Sequence, residues 1–357
     1  MSLALCFGTR PQVVKASMLL EVLRRRWQVI AVDTGQHYDF ELNGLFYQQL
    51  GIPHPDHFLE VGSDTPSNQT ASVLTRTAEI LCAKRPAAVV VIGDTNSTLG
   101  AALAASKEGF PLVHVEAGLR SSEPNLPEET NRRVVDVLGQ LLCAPSAAAE
   151  ARLRAEESPG VVVNTGDVAR DVLLRHLTIA PPSQPGAPFV LATFHRAALT
   201  SDPDALAALI DALASLDMPI LLPLHPRTRG ALERFDLLRR LPAAVDMRVP
   251  LGYLEMVAAV RDAAVVITDS GGLQREAYWL GTPCVTIRGE TEWTETVACG
   301  ANALVPALDA PRLLAATVAA QRNRAKALPW APDAYGDGHA AARIGDAIAG
   351  LLGRDSG

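Results

Sequence analysis

Three carboxylates stand where this sequence could do proton chemistry. Glu116 lies in His114-Val115-Glu116-Ala117-Gly118-Leu119-Arg120, directly after a short apolar, β-branched run at 110–115. Glu128 follows in Leu126-Pro127-Glu128-Glu129-Thr130-Asn131-Arg132, and Asp94 ends another apolar run in Gly93-Asp94-Thr95-Asn96-Ser97-Thr98. A carboxylate at the carboxyl end of a buried parallel strand points into the crevice where open α/β sheets bind ligands. Burial without a partner is costly, so Glu116 is either paired, with Arg120 or Arg132, or used. Asp94 is either the cap of a helix beginning near Ser97 or a second carboxylate in the same crevice. Two carboxylates sharing a site push one pKa upward and so supply an acid and a base near neutral pH.

Basic and glycine-rich segments supply the complementary chemistry of anion binding. Thr193-Phe194-His195-Arg196 and Leu224-His225-Pro226-Arg227 both end strand-like runs. One histidine at such a place is commonly structural; two, each closely followed by arginine, suit proton transfer and diphosphate binding. In Thr268-Asp269-Ser270-Gly271-Gly272-Leu273-Gln274-Arg275-Glu276-Ala277 the paired glycines allow close backbone approach. The helix that follows offers free N–H groups to an anion, with Ser270 beside them and Glu276 placed to accept from ribose hydroxyls. Gly8-Thr9-Arg10-Pro11-Gln12-Val13-Val14-Lys15 makes a similar strand-to-helix turn, with Arg10 and Lys15 near a helix N-terminus. It is neither a GxGxxG fingerprint nor a Walker loop, so it indicates an anion and not a particular nucleotide.

These residues need strand ends to hold them, and the chain supplies strands alternating with helices. Strands are expected at 3–7, 29–33, 88–92, 112–115, 141–144 and 161–164, the last closing the first sheet, with helices between them such as 70–84 and 98–108. The grammar then restarts with strands at 189–193, 220–224, 247–249, 265–268 and 284–287. Such alternation implies βαβ units and parallel sheets. The expected fold is α/β: two Rossmann-like, doubly wound parallel-sheet domains facing an interdomain cleft. The Pro-rich stretch at 180–188 is a connector, and the helix at 168–177 could belong to either half. The domains are placed at 1–168 and 169–338.

Composition narrows the function classes. With 357 residues, 48% hydrophobic and 20% charged, the chain has material for two cores and is not a disordered polymer. A net charge of -7 argues against a nucleic-acid surface. No run approaches a membrane span or a signal peptide, so no membrane partner is expected. Five widely spaced cysteines without a CxxC pair suit a reducing, cytoplasmic compartment. The spacing of His and Cys builds no metal site.

Taken together, the motifs resemble the non-hydrolysing UDP-N-acetylglucosamine 2-epimerases, which share the glycosyltransferase B architecture. The resemblance runs from Phe7-Gly8-Thr9-Arg10-Pro11 through Thr34-Gly35-Gln36-His37-Tyr38-Asp39 to Gly93-Asp94-Thr95. It continues through the segments around Glu116, Glu128, His195 and Asp269, and ends at Tyr335-Gly336-Asp337-Gly338. It implies interconversion of UDP-N-acetylglucosamine and UDP-N-acetylmannosamine by elimination of UDP to a 2-acetamidoglucal and re-addition, without a cofactor. Asp94, Glu116 and Glu128 then form the acid/base set and His195 sits near sugar and diphosphate. Arg10 and Lys15 are implied on phosphate or sugar, Ser270, Gly271 and Gly272 on the diphosphate, and Glu276 on the ribose, while Arg120, Arg196 and His225 are further substrate-binding candidates. Tyr253 is placed near uracil by its position and aromatic face. The resemblance also implies a homodimer and a last helix, about 339–357, that returns to the first domain.

Two departures from the family pattern stand out. The usual Glu two residues after the His-Arg pair, and the Asn after it, are replaced by Ala198 and Leu199. The segment Arg120-Ser121-Ser122-Glu123-Pro124-Asn125-Leu126-Pro127-Glu128, with Glu290-Thr291-Glu292-Trp293 later, resembles archaeal members and the branch acting on UDP-2,3-diacetamido-2,3-dideoxyglucuronate. Alternatives are therefore 2-epimerisation of that modified UDP-sugar, a hydrolysing 2-epimerase, a glycosyltransferase of the same architecture, or a catalytically silent UDP-sugar binder.

Overall fold

The apolar runs fold as parallel strands in two separate sheets. The computed structural model describes residues 1–36, 47, 51–121, 126–182, 186–306, 309–325 and 332–354. His37, Tyr38 and Asp39 of the family block, residues 122–125 of the acidic segment and 183–185 of the connector lie outside the described residues. Contacts divide the chain into two units, Met1–Arg175 with Asp333–Gly357, and His176–Pro332. The boundary falls inside the helix Val168–Leu177, whose membership the sequence leaves open.

The first unit holds strands β1 (Ser2–Phe7), β2 (Gln28–Asp33), β3 (His57–Phe58), β4 (Ala88–Ile92), β5 (Leu112–Val115), β6 (Leu141–Ala144) and β7 (Val161–Asn164). They line up as β3-β2-β1-β4-β5-β6-β7, all parallel. Every residue of β4, Ala-Val-Val-Val-Ile, is buried, which is why its apolar run shows no alternation: helices cover both faces. The strand order reverses between β1 and β4, so the loops that follow these two strands flank the switch point where such sheets bind ligands. Gly8 to Lys15 follows β1, Gly93-Asp94 follows β4, and Glu116 follows the neighbouring β5.

The second unit repeats this order with β8 (Val190–Thr193), β9 (Ile220–Pro223), β10 (Val245–Arg248), β11 (Val265–Thr268), β12 (Cys284–Thr286) and β13 (Asn302–Leu304). Its sheet reads β10-β9-β8-β11-β12-β13, and its switch point lies between β8 and β11. Thr193 pairs with Thr268 at that point, so His195 and Asp269 leave the sheet side by side.

Two strands, β3 and β13, go beyond the sequence expectation. Each is an edge strand of two or three residues without a β-branched run, stabilised by pairing to β2 or β12 and not by local preference. The last helix, Ala340–Arg354, places Ala340, Ala341, Ile344, Ile348 and Leu352 in one core cluster with Leu19, Leu20 and Leu23. That is an apolar stripe at helical spacing. Asp171 accepts from the Ala340 and Ala341 amides at 3.0 and 2.8 Å, capping the start of the helix.

Candidate active site

In the first unit the turn after β1 is stitched to its neighbours by one side chain. Gln12, buried on the helix Arg10–Leu23, accepts from the Gly8 amide (2.8 Å) and donates to Ile92 O (2.6 Å) and Thr98 Oγ1 (2.9 Å). It therefore welds the end of β1 to the end of β4. Gly8 has no room for a side chain: a Cβ there would lie 1.8 Å from Thr34 Oγ1 and 2.4 Å from Ser97 Oγ, which bond each other at 2.6 Å. Arg10 begins the helix, half-buried.

Beyond β4, Gly93 takes φ +69° and hands the chain to Asp94. Asp94 does not cap the next helix; Thr95 does, accepting from the Thr98 amide at 3.3 Å. The Asp94 carboxylate instead accepts from Arg132 Nε at 2.8 Å, and its carbonyl accepts from Asn131 at 2.9 Å. Beyond β5, Glu116 adopts φ +74°, a left-handed conformation that costs a residue bearing a Cβ about 1–2 kcal/mol. Its Oε2 pairs with Lys15 Nζ, both side chains under a tenth exposed. The expected partners, Arg120 and Arg132, are engaged elsewhere, Arg132 on Asp94 and Arg120 on Asp136 (2.7 Å) and Glu156. Lys15, read from sequence as an anion ligand, holds a carboxylate in this structure. Glu128 is half-buried in the first turn of the helix Pro127–Leu138, and its carboxylate bonds none of the described residues.

In the second unit a buried carboxylate organises the site. Asp269 Oδ2 accepts from the His195 and Arg196 amides at 2.9 and 2.8 Å, and Oδ1 lies 3.0 Å from His195 Nδ1. Burial alone would raise the Asp269 pKa, but His195 and these amides outweigh it and hold the carboxyl below the usual carboxylate range. With Nδ1 turned to Asp269, the orientation of the His195 ring is set by that carboxylate. His225 stacks at a tilt with His195, centroids 5.8 Å apart, and its Nδ1 accepts from the Arg227 amide, so a proton it offers is on Nε2. Leu199, standing where the family pattern has a polar residue, is buried in the core of this unit, and the side chains of Ala197 and Ala198 lie outside the described ones.

Ser270 caps the helix Gly271–Trp279, accepting from the Leu273 amide at 3.4 Å. A Cβ on Gly271 would stand 3.0 Å from Glu292 Oε1 and 3.3 Å from Trp293 Nε1, whereas one on Gly272 would meet only Ser270 Oγ at 3.9 Å. Glu276, in the second turn, is half-buried. Tyr253 begins the helix Tyr253–Asp262 and is buried, edge-on to His176 at 5.6 Å.

Sequence reasoning missed Gln12, Asp136 and the role of Asp269. The signal for Asp269 was present, since it ends a strand that a parallel sheet sets beside His195. Thr9 to Gln12 reads locally only as a helix capping box, and the reach of Gln12 to Ile92 and of Asp136 to His114, 80 and 22 residues away, has no local signature. Among the described residues no group of His, Cys, Asp and Glu could hold a metal ion, and no helix is long and apolar enough to cross a membrane.

Known proteins resemble this chain along most of its length. A family pattern described as UDP-N-acetylglucosamine 2-epimerase matches residues 21–349. A UDP-2,3-diacetamido-2,3-dideoxy-D-glucuronate 2-epimerase of Pseudomonas aeruginosa is 40% identical, covering 98% of this chain and 100% of that protein. The crystal structure of Methanocaldococcus jannaschii UDP-GlcNAc 2-epimerase in complex with UDP-GlcNAc and UDP superposes with a TM-score of 0.90 at 32% identity, over 98% of this chain and 99% of that one. The calicheamicin glycosyltransferase CalG4, at 14% identity and a TM-score of 0.56 over 99% and 98%, shares the fold alone, the two-sheet glycosyltransferase B type. On these matches the chain belongs to the UDP-N-acetylglucosamine 2-epimerase family, a family of UDP-sugar 2-epimerases and so of isomerases.

Proposed function

We propose that this chain inverts C2 of a UDP-linked 2-acetamido sugar by reversible elimination. A carboxylate takes the C2 proton, the C2–H electron pair becomes the C1=C2 double bond, and the C1–O bond breaks with UDP leaving as the diphosphate anion. UDP then adds back to C1 while C2 receives a proton on its other face. The observation that carries this reading is Glu116, held in left-handed backbone against Lys15 at the end of β5, with Asp94 ending the adjacent β4. A carboxylate kept buried and strained is a device for chemistry more than for packing.

In this reading Asp94, Glu116 and Glu128 are the acid/base set. Lys15 pairs with Glu116 and Arg132 with Asp94, each cation fixing the direction in which its carboxylate points. His195, set by Asp269, serves the diphosphate and C1 oxygen, with Arg10, Arg196 and His225 adding positive charge or donors. Arg120 contributes through Asp136. Ser270, Gly271 and Gly272 hold the diphosphate at a helix N-terminus, Glu276 the ribose, and Tyr253 borders the uracil. The C2 proton is weakly acidic, so positioning and electrostatics must supply most of the rate. No cofactor is needed.

The 40% identity along the full length of the Pseudomonas enzyme favours UDP-2,3-diacetamido-2,3-dideoxyglucuronate as substrate over UDP-N-acetylglucosamine. Five free thiols suit a cytoplasmic setting, and a homodimer completes the proposal. Proton NMR in deuterium oxide tests it: either UDP-sugar should take up deuterium at C2 as its epimer forms, the diacetamido uronate with the higher kcat/KM. Release of free sugar would point to hydrolysis, and UDP binding without C2 exchange to a silent binder.

A further inference from the structure

From the contacts around His114 we infer that His114 and Asp136 form a buried brace that sets all three proposed acid/base carboxylates at once. The inference rests on the assignment of Asp94, Glu116 and Glu128 proposed above. His114 is fully buried in β5, where an apolar residue would suffice for packing. Its ring spans two acceptors: Nε2 lies 2.8 Å from Gly93 O and Nδ1 2.7 Å from Asp136 Oδ1. Both ring nitrogens are thus engaged at hydrogen-bonding distance, so the ring bridges the two acceptors and is held at both ends.

Each end of the brace holds a different part of the site. The Gly93 carbonyl belongs to the peptide that leads into Asp94, and Gly93 is itself left-handed at φ +69°. Fixing that carbonyl fixes the direction in which Asp94 leaves the strand. Two residues after His114 stands Glu116, and Asp136 Oδ2 accepts from the Gly118 amide at 3.2 Å just beyond it. Asp136 also accepts from Arg120 at 2.7 Å. Burial by itself would raise Asp136, but His114 and Arg120 outweigh that and keep its carboxyl below the usual range. Finally, Asp136 rides on the helix Pro127–Leu138, whose first turn carries Glu128.

One hydrogen-bonded pair therefore ties the β4 loop, the β5 loop and the Glu128 helix to a common frame. The left-handed residues Gly93 and Glu116 lie on either side of it, so releasing the brace frees both to relax. His114 and Asp136 touch no reacting atom in this scheme; they are positioning residues.

The test is a double-mutant cycle with His114→Gln, Asp136→Asn and both together, assayed well below each variant's unfolding midpoint. Misplacement of about 1 Å costs on the order of 10²-fold, so each single variant should lose about that much kcat. KM and the Kd for UDP should stay within about twofold, and the double variant should fall no further than the worse single one, as expected for residues acting as a unit. Unchanged kcat with only a lower Tm, or losses that multiply in the double variant, would overturn the brace. Asp136→Asn is nearly isosteric and keeps the test alive if His114→Gln does not fold. Asp94→Asn and Glu116→Gln run in parallel. If these keep wild-type C2 exchange, the carboxylate assignment fails; if they abolish exchange while the brace variants keep full kcat, the brace alone fails.

Discussion

Replacing Glu116 by alanine and by glycine separates its backbone from its carboxylate. Both substitutions remove the proposed acid/base group, and both leave the Lys15 ammonium, 7% exposed, without the Glu116 charge. Removing one member of a buried pair costs about 3–5 kcal/mol, so both variants should unfold before the wild type. Between themselves they differ in what φ +74° demands. Alanine carries about 1–2 kcal/mol of left-handed strain that glycine does not. Glycine gives back about 0.5–1 kcal/mol through the greater freedom of its unfolded chain. The difference leaves Glu116→Gly more stable by roughly 1 kcal/mol, or about 2–4 °C of Tm for a unit near 200 residues. Differential scanning calorimetry on both proteins reads this directly, and neither should support C2 exchange. Adding Lys15→Met to either variant should recover most of the lost stability, because replacing both charges removes the isolated one. If Glu116→Ala melts at or above Glu116→Gly, the strain argument is wrong; if it melts with the wild type, so is the buried-pair argument.

Other consequences are open to simple measurements. Asp269 titrates below an unfolded Asp, so its ionic stabilisation is complete above about pH 4 and is lost as pH falls through the lower folded value. The stability gap between wild type and Asp269→Asn, followed by urea denaturation, should therefore shrink as pH drops below about 4 and stay constant above about 5. Gly271→Ala, whose Cβ would press on Glu292 and Trp293, should weaken UDP binding in calorimetry, whereas Gly272→Ala should change the native contacts little. Burial pushes the Cys6, Cys143 and Cys284 thiols up to about 12, so iodoacetamide should leave them untouched until unfolding. Exposed Cys82 should label first, slowed by its bond to Glu108, which raises its thiol.

Much of this protein was legible in one dimension. Runs such as Ala88–Ile92 and Val265–Thr268 can only be buried strands, and their alternation with helices dictates parallel sheets. The carboxyl ends of those strands then mark where Asp94, Glu116, His195 and Ser270 must emerge. Edge strands His57–Phe58 and Asn302–Leu304 were not legible, because two or three residues hold an extended shape only when a neighbour offers its hydrogen bonds. The same divide separates the site's residues from their partners. Sequence indicated that Glu116 needed a cation and offered the nearby Arg120 and Arg132; the fold chose Lys15, 101 residues away. Arg132 went to Asp94, Arg120 to Asp136, and His114 became a bridge to Asp136 and Gly93. Local pattern determines which groups sit at strand ends, since burial and periodicity act over a few residues. Which charge meets which is decided only when the strand order brings distant loops within a few ångströms, because an ion pair depends on distance in space and not along the chain.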